Sequence, residues 1–392
     1  MRSDFFKYQA QTTTHPLAMT ISHANGSYVY DTNQKAYLDF VAGVSATPLG
    51  HNHPKVIKAI KVQLDKYLHV MVYGEYIQEP AVELCKLLAK NLPDPLETTY
   101  LVNSGTEAIE GALKLAKRAT GRSEIISAFN AYHGNTMGSM SVMGYEERKQ
   151  AFRPLLPDVR CITFNKEEDL DFITSKTAGV ILETIQGGAG FIEPKNNYLA
   201  KVRAKCDAVG ALLILDEIQP GIGRTGKLFG FEHYNCIPDI LVTGKGLGGG
   251  MPIGAFVAPR AMMHTLASDP ILGHITTFGG HPVSTAAGLA TLQTILEENL
   301  IAQVPAKEQL FLELLQHPRI LDVRSAGLWL AVELASFEAV QTVIKYCLEQ
   351  GLITDWFLFN DRSLRIAPPL IITEEEIRKA CTIVLGGLDQ LN

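Results

Sequence analysis

Between about Thr98 and Ala258 the chain repeats one pattern, a short apolar run followed by a stretch of helical or loop character. The runs are Thr99–Asn103, Glu124–Phe129, Val159–Phe164, Gly179–Glu183, Ala211–Asp216, Ile240–Thr243 and Ala255–Ala258. Each is apolar at nearly every position rather than at alternate ones, the mark of strands covered on both faces. Such strands punctuated by helices predict an α/β fold with a mostly parallel seven-stranded sheet. The helix after the first run is clearly bounded. Ser104 and Glu107 have the spacing of a capping box, and Gly121 stands where a glycine would end the helix.

The pattern changes on either side of this block. Gly26 to Asp31 looks like a hairpin strand. Beyond about residue 290, amphipathic helices (Ala339–Gln350, Glu374–Gly386) mix with short strands such as Gly327–Glu333. The expected organisation is a large domain over residues 46–290 and a smaller α+β domain over 291–392, with the N-terminal segment 1–45 joining the small one. At 392 residues, 46% hydrophobic and 19% charged, the chain is long and apolar enough for these cores.

Charge and cysteine usage narrow the partners. A net charge of −6 without any basic block argues against nucleic acid or an anionic membrane as partner. No run approaches the ~18 apolar residues of a membrane span, and the N-terminus, with Asp4 and no apolar core segment, predicts no signal peptide. The six cysteines (Cys85, Cys161, Cys206, Cys236, Cys347, Cys381) lack disulfide or zinc spacing, so reduced thiols in a cytoplasmic protein are expected.

Two motifs mislead. Gly221, Gly223 and Gly226 fit a dinucleotide fingerprint, and Gly221 to Lys227 fits the start of a phosphate loop. The first requires an opening helix after the glycines, and Phe229 to His233 has no helical period. The second requires Ser or Thr after the lysine, where Leu228 stands. His51 and His53 have no third metal ligand in view and read as a loop turning at Pro54.

Ligands of open α/β sheets bind at the carboxyl ends of the strands. Those ends offer Ser104-Gly105-Thr106, Tyr132-His133, Glu183, Asp216 and Lys245. Ser104-Gly105-Thr106 opens a helix and could hold a phosphate, or could be a plain helix cap. Asp216, ending Leu212 to Leu215, could face a protonated pyridine nitrogen or cap the next turn. Lys245 ends another buried strand and precedes a run of glycines, where burial lowers its pKa and frees its amine as a nucleophile. Together these groups describe one cofactor.

The same stretches resemble the class III, ornithine/acetylornithine-type (subgroup II) aminotransferases of pyridoxal phosphate fold type I. The likeness runs from about Gly26 to the C-terminus. It is carried by Tyr37 to Phe40, Gly50 to Pro54, Asn103 to Ala108, Leu215 to Gln219, Gly223 to Gly226, Gly244 to Gly250, Pro252 to Ala255 and Thr277 to Gly280. The resemblance implies that Lys245 forms the Schiff base with pyridoxal 5′-phosphate and then shuttles the proton. It implies that Asp216 pairs with the pyridine nitrogen, Gln219 approaches the ring hydroxyl and Tyr132 stacks on the ring beside His133. Gly105 and Thr106 would hold the phosphate with Thr277 of the partner subunit, which implies a homodimer with shared sites. Arg365 would bind a substrate carboxylate bidentately.

Two departures bear on substrate. The family's aromatic-His-Gly-Arg ends in Asn135, and the second glutamate of its Glu-Pro-x-Gln-Gly-Glu is Gly188. In the family that glutamate pairs with the Arg365-type arginine and releases it to a keto acid. Glu75, near Tyr73 and Tyr76, is a candidate replacement. The expected reaction is ping-pong transfer from an ω-amino donor to a 2-oxo acid such as 2-oxoglutarate. A racemase, epimerase or decarboxylase using the same site is the alternative.

Overall fold

The computed structural model describes residues 1–391. The chain opens on a meander, β1 (Ile21–Asn25), β2 (Tyr28–Asp31) and β3 (Ala36–Asp39). The central sheet follows with β4 (Thr98–Val102), β5 (Glu124–Ala128), β6 (Val159–Ile162), β7 (Thr177–Glu183), β8 (Leu212–Asp216), β9 (Ile240–Gly244) and β10 (Gly254–Ala258). Its spatial order is β4-β10-β9-β8-β7-β5-β6. All neighbours from β9 to β6 are parallel, while β10 runs antiparallel to both β9 and β4. Every residue of β7, β9 and β10 is buried, which is why those runs are apolar throughout instead of alternating.

Run boundaries shift where a side chain competes with the ladder. The β6 run stops at Ile162 rather than Phe164 because the Thr163 N–H donates to Asp169 Oδ2 (2.8 Å). The helix Gly105–Thr120 ends as expected, with Gly121 at φ +67 and its N–H on the Lys117 carbonyl. Its start is half of the expected box. Ser104 Oγ accepts from the Glu107 N–H (3.3 Å), but the Glu107 carboxylate reaches past Ser104 to the N–H and side-chain amide of Asn103 (2.7 and 2.9 Å).

One glycine of this helix sets its distance from the sheet. A Cβ on Gly111 would stand 2.8 Å from Phe256 Cδ1 and Cζ in the neighbouring strand β10. Helix propensity alone favours Gly→Ala by about 0.5–1 kcal/mol, whereas overpacking costs about 1–3 kcal/mol. The clash dominates, so Gly111→Ala is expected to destabilise by roughly 1–2 kcal/mol in denaturant titration. A stabilised variant would mean that the helix can move off Phe256.

The C-terminal part builds β11 (Asp322–Ser325), β12 (Leu330–Glu333), β13 (Leu352–Ile353), β14 (Asp355–Trp356) and β15 (Ser363–Ile366). Strand β13 leaves this group and pairs in parallel with β3, while the others form a sheet in the order β11-β12-β15-β14. Helices Leu300–Leu314, Phe337–Glu349 and Glu374–Leu388 accompany it. The first expected helix there starts earlier than its periodicity suggests, at Phe337, because Ser336 Oγ caps the Ala339 N–H. Strand β12 starts at Leu330, not Gly327. Gly327 sits at φ +66 and the Leu328 N–H is engaged by the Arg224 carbonyl (3.0 Å). The helix Pro282–Glu297 runs through position 290, where a domain boundary was expected, and packs on helices Pro54–Lys66 and Glu79–Lys90.

The glycine-rich loop after β8 is a structural joint. Arg224 is buried within it, and its guanidinium donates to the carbonyls of Leu328 (3.0 Å) and Pro368. The Gly223 and Gly226 N–H groups are taken by the Leu228 and Gly223 carbonyls. His51 Nε2 pairs with Asp39 Oδ2 (2.9 Å), and Pro54, rather than turning a loop, is the first residue of a helix. Among the described residues, no group of three or more His, Cys, Asp or Glu could hold a metal ion, and no helix is long and apolar enough to cross a membrane.

Candidate active site

Strand register assembles the centre of the site. Asp216, the last residue of β8, lies level with Glu183 of β7 and Val242 of β9, so Lys245 emerges just beyond the same edge. Asp216 is buried and uses both oxygens. Oδ1 accepts from the Ile218 N–H (2.9 Å), and Oδ2 faces His133 Nδ1 at 2.7 Å. That contact assigns the ring proton to Nδ1. It leaves His133 Nε2 buried without a hydrogen-bond partner among the described residues.

Glu183 performs a different task. Its Oε1 accepts from the Tyr132 N–H and its Oε2 from the Gly187 N–H, both at 2.8 Å. Burial pushes its pKa up to about 7, opposed by the neighbouring His133 and those two N–H donors and assisted by the nearby Asp216. The carboxyl thereby fixes the backbone of the aromatic-histidine loop to the turn beyond β7.

Lys245 has φ +44, an unusual backbone for a side chain of this size. Burial lowers its pKa from 10.5 to about 8; the charges of Asp216 and Glu183 oppose that, and Arg365 adds to it. The part of the side chain that remains accessible lines a cavity of about 240 Å³. Gly105, Thr106, Tyr132, His133, Glu183, Asp216, Gln219 and Lys245 all share that lining, joined by Gly134, Asn135 and Ile218.

The far end of the cavity is built for an anion. The first N–H groups of the helix Gly105–Thr120 are those a helix cannot pair internally, and two of the first residues line the space. Any Cβ on Gly134 would collide with the Thr106 side chain, which keeps this loop close to the helix start. Thr106 Oγ1 lies 2.6 Å from Ser139 Oγ and 2.9 Å from Thr136 Oγ1. Glu110 Oε1 in turn accepts from Thr136 Oγ1 and from the Gly138 and Ser139 N–H groups. Thr136, Ser139 and Glu110 were not singled out from the sequence. The capping-box spacing of Thr136 and Ser139 was the available signal.

Three expected site residues lie outside this cavity. Ser104 serves as the helix cap. Thr277 is exposed, in a segment whose neighbours Thr276, Gly279 and Gly280 line a second cavity with Tyr73 and Tyr76. Arg365, on β15, is held by Asp355 of β14, with Nε on Oδ1 at 2.6 Å and Nη2 on Oδ2. Asp355 is therefore the carboxylate on Arg365, whereas Glu75 is exposed and makes no ion pair among the described residues.

The donor set fits pyridoxal phosphate on the structure's own terms. There is a carboxylate for a protonated ring nitrogen, a helix start whose first two residues line the cavity for a phosphate, a buried amine, and in the same wall a buried imidazole nitrogen without a partner among the described residues. Comparison with known proteins agrees. The model of the family "Aminotransferase class-III" matches residues 8–386. The chain is 39% identical over 378 residues to an acetylornithine aminotransferase of Caldanaerobacter subterraneus, covering 93% of each chain. It is 39% identical to a putrescine aminotransferase of Pectobacterium atrosepticum, covering 92% of this chain and 80% of that one. The crystal structure of Toxoplasma gondii ornithine aminotransferase superposes with a TM-score of 0.91 at 30% identity, over 99% of this chain and 95% of the other. Sequence, sheet topology and site chemistry thus converge, and the chain belongs to the class III aminotransferases, enzymes that transfer amino groups with pyridoxal phosphate.

Proposed function

We propose that the amino donor is an ω-amine of the ornithine or acetylornithine kind and the acceptor a 2-oxo acid such as 2-oxoglutarate, handled in two half-reactions at one site. The observation carrying this reading is the convergence of Lys245, the Asp216–His133 pair and the Gly105–Thr106 helix start on a single cavity. Relatives acting on acetylornithine, ornithine and putrescine support a donor with a terminal amine.

When bound, pyridoxal phosphate supplies an electron sink for charge left at the donor carbon. The chain's own residues do the rest. Lys245 Nζ is the amine that would hold the cofactor covalently, and the same amine would move the proton at the donor carbon. The Asp216 carboxylate would face the cofactor's ring nitrogen, and His133 Nδ1 holds that carboxylate in orientation. Tyr132, its backbone fixed by Glu183, would cover the ring, and Gln219 would serve the ring hydroxyl. Gly105 and Thr106 would hold the phosphate, and Arg365 would receive a substrate carboxylate.

The reading includes a homodimer in which Thr277 of the partner subunit completes the phosphate site. Exposed Ile271, Leu272, Ile275 and Phe278 around Thr277 support it, because such apolar patches are normally covered. A small domain formed from both chain ends is supported by the pairing of β13 with β3, with its C-terminal part beginning after the helix Pro282–Glu297 rather than at residue 291. A cytoplasmic location is supported by six unpaired cysteines.

Amines added to the holoenzyme without any keto acid test the reading. Terminal diamines and acylated ornithines are expected to bleach the absorption of the aldehyde form in one turnover, and 2-oxoglutarate to restore it. Racemisation or decarboxylation without bleaching would overturn the reading.

A further inference from the structure

Arg365 is the guanidinium offered to a substrate carboxylate, and it is already engaged. Asp355 and Arg365 are direct partners across the β14–β15 ladder, and the pair is bidentate. The two ends differ in their access to water: the Asp355 side chain is 29% exposed and that of Arg365 13%. The carboxylate can be resolvated by turning outward, while the arginine stays in place and needs a replacement anion.

The same hairpin governs the other side of this region. Phe359, between β14 and β15, donates its N–H to the Gly188 carbonyl (2.9 Å). Its ring stands where a side chain at 188 would go, since a Cβ there would lie 2.9 Å from Phe359 Cδ2 and Cε2. Tyr145 stacks on that ring at 4.8 Å, and the Arg148 guanidinium lies 5.9 Å from its centre. The 183–188 turn therefore cannot supply a carboxylate without displacing a packed aromatic cluster. Residues 355–365 provide the anion, the cation and the aromatic filler from one hairpin.

We propose that Asp355 is an internal competitor for Arg365, a specificity-determining carboxylate that a carboxylate-bearing substrate must displace and that a carboxylate-free amine leaves in place. This rests on the reading of Arg365 as the substrate-carboxylate site. That Arg365 helps to lower the pKa of Lys245 agrees with its charge acting on the same cavity. The apparent affinity of a ligand falls in proportion to the fraction of sites open to it, so removing the competitor should tighten carboxylate binding alone.

The test is Asp355→Asn in the holoenzyme, with glutarate as an unreactive probe measured by calorimetry and 2-oxoglutarate and 1,4-diaminobutane as reactants in separate half-reactions. Glutarate Kd and the KM for 2-oxoglutarate should fall about tenfold, and that gain should exceed any change for the diamine by about the same factor. Asp355→Glu, which restores a carboxylate, should reverse most of it. Asp355→Ser gives the same comparison if the amide variant does not fold. Unchanged or weaker glutarate binding would mean that Asp355 merely holds Arg365 in position and would overturn the proposal. Failure of every amine to bleach the wild-type enzyme would instead overturn the donor assignment, leaving the glutarate comparison intact.

Discussion

Replacing Lys245 by alanine is expected to lower turnover by about four orders of magnitude and, in the cofactor-free protein, to raise stability at neutral pH. The first effect follows from position. Lys245 stands at the carboxyl end of β9 with its ammonium in the cavity shared by Asp216 and Glu183. No other lysine among the described residues lines that space, so none is placed to take over the role proposed for its amine. The second effect follows from burial. The folded-state pKa of about 8 lies below the ordinary 10.5, so the folded protein releases this proton more readily than the unfolded chain. Stability therefore rises with pH between about 8 and 10.5, and the full penalty stands below 8. Its size is at most about 3 kcal/mol, reduced by water in the cavity. Denaturant titration of the two cofactor-free proteins should show the alanine variant ahead at pH 7 and the gap shrinking by pH 10. A gap that widens with pH would mean that Asp216 and Glu183 more than compensate the buried ammonium.

The same residues explain which parts of the molecule were legible in the sequence. Asp216 and Lys245 each end an uninterrupted apolar strand, and a charged residue there is costly enough to signal a partner. Direction was not legible for β10, whose residues are all buried and read the same in either sense. The capping box at Ser104 was right in spacing and wrong in one partner, because Asn103 offered the Glu107 carboxylate two donors at once. Asp355 was invisible for a stronger reason. Its strand, Asp355–Trp356, is too short for any period, and its pairing with Arg365 depends on a hairpin register that the residues between them do not announce. Gly188 marks a missing carboxylate in the sequence, but that the Phe359 ring stands in its place depends on contacts between distant segments.

Asp216→Asn is expected to lower kcat by roughly a hundredfold or more with a much smaller effect on KM, and to disturb the site through hydrogen bonding as well as charge. An amide cannot keep a ring nitrogen protonated as a carboxylate does. It also has one acceptor where Asp216 uses two, Oδ1 for the Ile218 N–H and Oδ2 for His133 Nδ1. If the amide oxygen serves Ile218, its NH₂ faces His133, and the imidazole must move its proton from Nδ1 to Nε2. Nε2 is buried and already lacks a partner among the described residues, so the cost in this arrangement is the replacement of a charge-assisted hydrogen bond by a neutral one, about 1 kcal/mol. If the oxygen serves His133 instead, the half-buried Ile218 N–H loses its acceptor at a similar cost. Either way the variant should be less stable than wild type without its cofactor, and its His133 ring nitrogens should exchange chemical-shift character in nitrogen NMR if the tautomer changes. Turnover within tenfold of wild type would show that the Asp216 charge is not what sustains the chemistry, and that the strand-end carboxylate is there to orient His133.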